Sequence, residues 1–205
     1  MTPSPADQPA EPLPGERWER RIPLTDLQET AEFARGLAAH LRGGDLLVLT
    51  GGLGAGKTTF TQSLGEALGV SGQISSPTFV LSRIHRSATQ GPDLVHVDAY
   101  RTDAAGLESL DLLATLPDSV TVIEWGRGLV ERALLGESGS WIDLELLATE
   151  PEAITPAVAA GESLAAHAAA PQIVTDFSET EEDLAGTPRT AVLRGYGPRW
   201  EQPPL

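Results

Sequence analysis

Apolar residues recur at three- and four-residue spacing through Leu27, Ala31, Ala34, Leu37, Ala38 and Leu41, which predicts an amphipathic helix over residues 26–42. Thr25 is expected as its N-cap, with Gln28 completing a capping box and Gly43-Gly44 ending the helix. Leu46-Leu47-Val48-Leu49 then runs without polar interruption, as in a strand buried on both faces of a parallel sheet. A glycine-rich turn over residues 51–56 leads into helical spacing at Phe60, Leu64, Ala67 and Leu68, closed by Gly69. Strand, turn and helix make the first half of a βαβ unit. Further strands are expected at 79–84, 94–98, 120–124, 141–147 and 189–194, with short helices at 107–114 and 129–135 and a short edge strand at 21–24. In the strand from 141, Trp141, Asp143 and Glu145 alternate with Ile142, Leu144 and Leu146. The class is α/β.

Three segments break this pattern. Residues 1–20 are rich in Pro and acids, without period, and read as a disordered tail. Residues 149–186 carry eight acids, no Lys or Arg and an Ala-rich run, and read as an acidic surface insertion. Residues 201–205 form a short C-terminal tail. One folded domain remains, made of 21–148 with 187–200. The net charge of -15, from 29 acids against 14 bases, argues against an autonomous binder of RNA, DNA or anionic membrane. With no cysteine, disulfides, thiol catalysis and Cys-type metal sites are excluded. No apolar run approaches the length of a membrane span, and the N-terminus lacks a signal pattern, so a cytoplasmic protein is expected.

The chemistry concentrates in Gly51-Gly52-Leu53-Gly54-Ala55-Gly56-Lys57-Thr58, which matches G-x-x-x-x-G-K-[ST], the P-loop. Its glycines let successive backbone N–H groups turn toward a phosphate chain, and the following helix points its positive end at the same place. Lys57 supplies a point charge for the β- and γ-phosphates, and the Thr58 hydroxyl suits Mg²⁺. Lys57 is also the only lysine in the chain. The expected architecture is therefore a single P-loop NTPase-like domain, with a mostly parallel central sheet flanked by helices. Two apolar strands end in acids, Asp98 and Glu124, and strand C-termini line the ligand crevice in such sheets. One acid would hold Mg²⁺ and the other orient the attacking water, in either assignment. The chain has no Asn and no second Lys, so the guanine-reading Asn-Lys-x-Asp motif is absent and ATP is favoured by elimination. His40, His85, His96 and His167 show no metal-site spacing and are read as structural or solvent-facing.

Four local motifs, in order, resemble the TsaE family, ATPases of bacterial threonylcarbamoyladenosine synthesis in tRNA. They are Leu53-Gly54-Ala55-Gly56-Lys57-Thr58-Thr59-Phe60, Ser76-Pro77-Thr78-Phe79, His96-Val97-Asp98-Ala99-Tyr100-Arg101 and Ile123-Glu124-Trp125. The resemblance implies that residues 52–59 (Gly52, Leu53, Gly54, Ala55, Gly56, Lys57, Thr58 and Thr59) bind ATP. It implies a switch role near the γ-phosphate for Ser76, Pro77 and Thr78, a need for Asp98 in hydrolysis, and a Mg²⁺ site of Thr58 and Glu124. Leu27, Thr30 and Arg189 would border the adenine. The implied partner is the TsaD–TsaB heterodimer, reset between turnovers, with tRNA engaged only through that complex and no direct DNA binding. Where the family usually carries an acid before L-G-A-G-K-T, this chain has Gly52. Two other readings share the P-loop. A small-molecule kinase would usually add Arg-rich lid segments, whereas the long insertion here has no base. A nucleotide-dependent interaction module would bind ATP with negligible turnover.

Overall fold

Leu46, Leu47, Val48 and Leu49 are all buried and sit in the middle of a sheet covered on both faces. A computed structural model of the chain describes residues 9–77, 80–100, 111–136, 139–148 and 188–205. Among these, the strands are β1 (Glu16–Leu24), β2 (Leu46–Gly51), β3 (Ser82–His85), β4 (Asp93–Asp98), β5 (Ser119–Glu124), β6 (Trp141–Ala148) and β7 (Arg189–Tyr196). The helices are α1 (Leu27–Ala38), α2 (Lys57–Leu68), α3 (Leu112–Thr115) and α4 (Val130–Leu135). The seven strands form one sheet in the order β1-β7-β6-β2-β5-β4-β3.

The central strands β6, β2, β5 and β4 are mutually parallel, and β3, β7 and β1 add on antiparallel. The expectation of a mostly parallel sheet thus holds only for the centre. The short connection from β3 to β4 permits their antiparallel pairing, whereas β7 and β1 reach theirs from distant parts of the chain. On one face, α1 and α2 cover Leu47, Leu49, Leu94, Val122 and Leu144, with Phe33 and Phe60 in ring contact at 5.6 Å. The other face packs Leu46, Val48, Val95, Val97 and Ile123 against Leu112 of α3 and Val130 of α4.

Several boundaries differ from the sequence pattern. The tail expected through residue 20 gives way to a strand from Glu16, paired with β7 from Glu16↔Tyr196 to Leu24↔Arg189. What holds it is distant in sequence: Trp18 Nε1 donates to the Trp200 carbonyl at 2.8 Å, and Glu19 accepts from Arg194 at 2.9 Å. Ahead of it, the Ala10 amide meets both Glu145 carboxylate oxygens, and the Ala10 carbonyl accepts from Arg194. Helix α1 is capped one residue later than expected. Asp26 accepts from the Glu29 amide at 2.8 Å, while Glu29 reaches back to the Thr25 amide and hydroxyl. Thr25 is therefore a donor to the cap, and Gln28 bonds Glu32 instead. The helix stops at Ala38, although Leu41 stays buried beyond its end. β3 begins at Ser82 rather than at residue 79, and the described part of the helix expected at 107–114 is α3. Residues 1–8 and the insertion at 149–186 lie outside the described residues.

Candidate nucleotide-binding site

β2 ends at Gly51 and α2 begins at Lys57, so residues 52–56 form a turn between a central strand and a helix. Two glycines, one at the end of β2 and one at the start of α2, are dictated by the surroundings. Gly51 has φ +137, and a Cβ there would lie 2.5 Å from the Leu146 carbonyl oxygen, on the neighbouring strand. Gly56 has φ +89 and caps α2, where a Cβ would collide with the Arg189 guanidinium. No side chain caps the N-terminus of α2, leaving its first amides available to an anion.

Lys57 is buried, and burial lowers its pKa; the carboxylates of Glu124 and Asp98 pull it back up. Its ammonium donates to the carbonyls of Gly51 at 3.0 Å and Gly52 at 2.9 Å, and lies 4.0 Å from the centroid of the Trp125 ring. In the β4–β5 register Asp98 stands beside Glu124, so both carboxylates leave parallel strand ends on the α2 side. Both are buried. Asp98 accepts from the Tyr100 amide at 2.9 Å, and Glu124 accepts from the Thr58 hydroxyl at a long 3.4 Å. These groups surround a cavity of about 340 Å³. Leu53, Gly54, Gly56, Lys57, Thr58 and Thr59 line it from the loop side, and Ser76, Asp98, Glu124 and Trp125 from the other. A larger cavity of about 420 Å³ lies between β1 and α1, but it lacks both the loop and the paired strand-end acids.

Thr58 and Glu124 offer hard oxygen donors suited to Mg²⁺. Among the described residues no three His, Asp or Glu side chains cluster as a metal cage. A divalent ion held by Thr58 and Glu124 would therefore complete its shell with phosphate oxygens and water, the usual arrangement for Mg²⁺ at nucleotide sites.

Leu27, Thr30 and Arg189 lie outside the lining of this cavity. Arg189 is buried behind the loop, donating to the Ala55 carbonyl at 3.0 Å, and does not line the cavity. Thr30 is fully buried with its hydroxyl on the Asp26 carbonyl, and half-buried Leu27 is likewise outside the cavity lining. The Pro77 carbonyl accepts from the Val80 and Leu81 amides, and Thr78 lies outside the described residues. His96, read from sequence as structural or solvent-facing, is buried, with Nε2 2.9 Å from Glu124 Oε1. The available signal was its two-residue spacing from Asp98 on one strand, which puts both on one face. Trp125, with φ +64, is a non-glycine residue in the left-handed region.

The family model for the threonylcarbamoyl adenosine biosynthesis protein TsaE matches residues 24–152, a span containing the whole cavity lining. The chain belongs to the TsaE family. The tRNA threonylcarbamoyladenosine biosynthesis protein TsaE of Streptomyces coelicolor is 58% identical over 102 residues, covering 49% of this chain and 69% of that protein. The TsaE protein of Mycobacterium tuberculosis is 45% identical over 117 residues, covering 53% and 70%. The crystal structure of YdiB from Bacillus subtilis superposes with a TM-score of 0.54 at 24% identity, covering 90% of each chain, and supports the fold. Arg189 lies beyond the part of the chain that the TsaE model matches.

Proposed function

We propose that this chain is a Mg²⁺-dependent ATPase acting in threonylcarbamoyladenosine modification of tRNA, through docking on a TsaD–TsaB heterodimer that it resets between turnovers. The observation that carries the ATPase reading is one cavity bounded by a glycine loop, the buried Lys57 and two strand-end carboxylates. The similarity to threonylcarbamoyladenosine biosynthesis proteins supports the pathway.

In this reading Lys57 leaves the carbonyls of Gly51 and Gly52 and turns to the β- and γ-phosphates, while the first amides of α2 receive phosphate oxygens. Thr58 and Glu124 hold Mg²⁺, which offsets the charge of the triphosphate. Asp98 orients the attacking water and accepts its proton. Ser76, at the rim of the cavity, is the part of the switch segment placed to sense the γ-phosphate. With a net charge of -15, the chain leaves tRNA to its partners, in the cytoplasm.

The test is ATP hydrolysis by the purified chain with Mg²⁺, alone and with the purified TsaD–TsaB pair. Lys57→Ala serves as the control. The proposal expects the pair to bind and to raise a Lys57-dependent rate. Normal turnover in Lys57→Ala would refute the P-loop assignment. A chain that binds ATP without hydrolysing it, even with both partners, would instead be a nucleotide-dependent interaction module.

A further inference from the structure

His96 occupies the interior of β4 with no solvent exposure. It shares a strand face with Asp98 two residues on, and stands beside Val122, the residue two before Glu124 on β5. Its Nε2 lies 2.9 Å from Glu124 Oε1, the same oxygen that the Thr58 hydroxyl approaches at 3.4 Å. A carboxylate oxygen accepts, so Nε2 is the protonated nitrogen and donates whatever the charge of the ring. Nδ1 is buried with no hydrogen-bond partner among the described residues.

That unpaired nitrogen is informative. An imidazole half-satisfied in a closed core costs more than an aliphatic side chain of similar size, which would leave no polar atom stranded. The benefit has to come from the satisfied nitrogen. A carboxylate on an isolated strand end swings among rotamers; one gripped by a rigid ring on the neighbouring strand does not. Outer partners of this type orient metal-binding carboxylates generally, and their removal costs roughly 10- to 100-fold in metal affinity.

We infer that His96 is a positioning residue, whose Nε2–H fixes the Glu124 carboxylate in the orientation that presents it, beside Thr58, to Mg²⁺. The inference rests on the proposed Mg²⁺ role of Glu124. His96 itself touches neither nucleotide nor metal in this reading.

The test compares ADP binding by the purified full chain in EDTA and across a Mg²⁺ titration, for wild type, His96→Gln, His96→Asn and His96→Leu, with the thermal midpoint of each. The amide nitrogen of Gln reaches about as far as Nε2, whereas that of Asn stops near Nδ1. Expected is an unchanged ADP affinity in EDTA for all four proteins. The Mg²⁺ needed for half-maximal gain in affinity should rise about tenfold in His96→Leu and His96→Asn, and return near wild type in His96→Gln. A packing role would give a different order, with His96→Leu the best tolerated and no change in Mg²⁺ requirement. A wild-type Mg²⁺ requirement in folded His96→Leu would overturn the inference alone. An equal loss of affinity with and without Mg²⁺ would also overturn it, as would failure of folded His96→Gln to recover. A wild-type chain that binds ADP with no Mg²⁺-dependent gain would overturn the metal site itself, and the inference with it.

Discussion

The Lys57 ammonium lies 4.0 Å from the centroid of the Trp125 ring while bonded to the carbonyls of Gly51 and Gly52. The lysine is thus held by its own loop and by one aromatic face, an interaction worth about 0.5–2 kcal/mol. A triphosphate that draws Lys57 away must also change what lies against Trp125. Titration with ATP and Mg²⁺ should therefore alter the emission of Trp125. The other tryptophans are committed elsewhere: Trp141 stacks on Tyr196 at 3.9 Å, and Trp18 bonds the Trp200 carbonyl. Trp125→Phe should abolish the response; a response that survives this change would locate the signal away from the site.

Asp98 and Glu124 sit side by side in the β4–β5 register, yet their bonds differ. Glu124 faces the Thr58 hydroxyl and His96, while Asp98 accepts from the backbone amide of Tyr100. Asp98→Asn should leave nucleotide affinity intact and lower turnover by about 10²–10⁴-fold, the usual loss for a proton acceptor. Glu124→Ala should remove the Mg²⁺-dependent part of binding. Calorimetry with and without Mg²⁺, set beside single-turnover rates, separates the two roles. If Asp98→Asn were the variant that loses the Mg²⁺ effect, the assignments would exchange.

What the sequence disclosed and what it hid divide along a physical line. The glycine loop was legible because its chemistry is local: glycines that permit the bend, then Lys57 and Thr58 opening a helix, are all written in eight positions. The acids ending β4 and β5 were legible because apolar runs mark buried strands. Of β1, only the edge strand at 21–24 was legible; residues 16–20 were not, since their partner β7 lies more than 160 residues away and their composition is that of a tail. The alternation in β6 matches the sequence pattern, and its polar face, with Asp143 and Glu145, is buried as well. Arg194 and the Ala10 amide bond those carboxylates from opposite ends of the chain. Arg189, expected at the adenine by resemblance, donates to the Ala55 carbonyl, a contact that depends on how β7 returns behind the loop.

The buried charges of that face carry a stability prediction. Arg194 is fully buried and donates to Glu19 at 2.9 Å, to Asp143 and Glu145 at 3.1 Å each, and to the Ala10 carbonyl at 3.0 Å. Burial already raises the Asp143 pKa despite the opposing pull of Arg127 and Arg194. Arg194→Met leaves the buried Glu145 without a cation, while Asp143 keeps Arg127 at 2.8 Å, and should cost about 3–5 kcal/mol, the range for breaking a buried pair from one side. Adding Glu145→Gln should recover part of the loss, because Arg194 is the one cation paired with Glu145 among the described residues. Urea unfolding of the two variants beside wild type measures both; a loss under about 1 kcal/mol would class Arg194 with exposed pairs.

Glu131 gives a stability change with a defined sign in pH. It lies in the first turn of α4, buried, and its Oε2 has no hydrogen-bond partner among the described residues. Burial raises its pKa above the ordinary 4.5, with Asp143 adding to the rise and Arg127 and the backbone amides of Glu131 and Gly128 opposing it. A carboxyl raised in the folded state keeps its proton after the unfolded chain has lost it. Above pH 4.5 the native state thus binds more protons than the unfolded state, and stability falls as pH rises through the interval up to the folded pKa. Glu131→Gln removes the titration. The difference in unfolding free energy, variant minus wild type, should grow in favour of the variant from pH 4.5 upward and level off once the native carboxyl has ionised. Denaturant unfolding at a series of pH values reads this directly. A flat difference would mean that the Glu131 carboxyl ionises alike in the folded and unfolded chains, and a decline with pH would mean that a cation, Arg127 foremost, outweighs its burial.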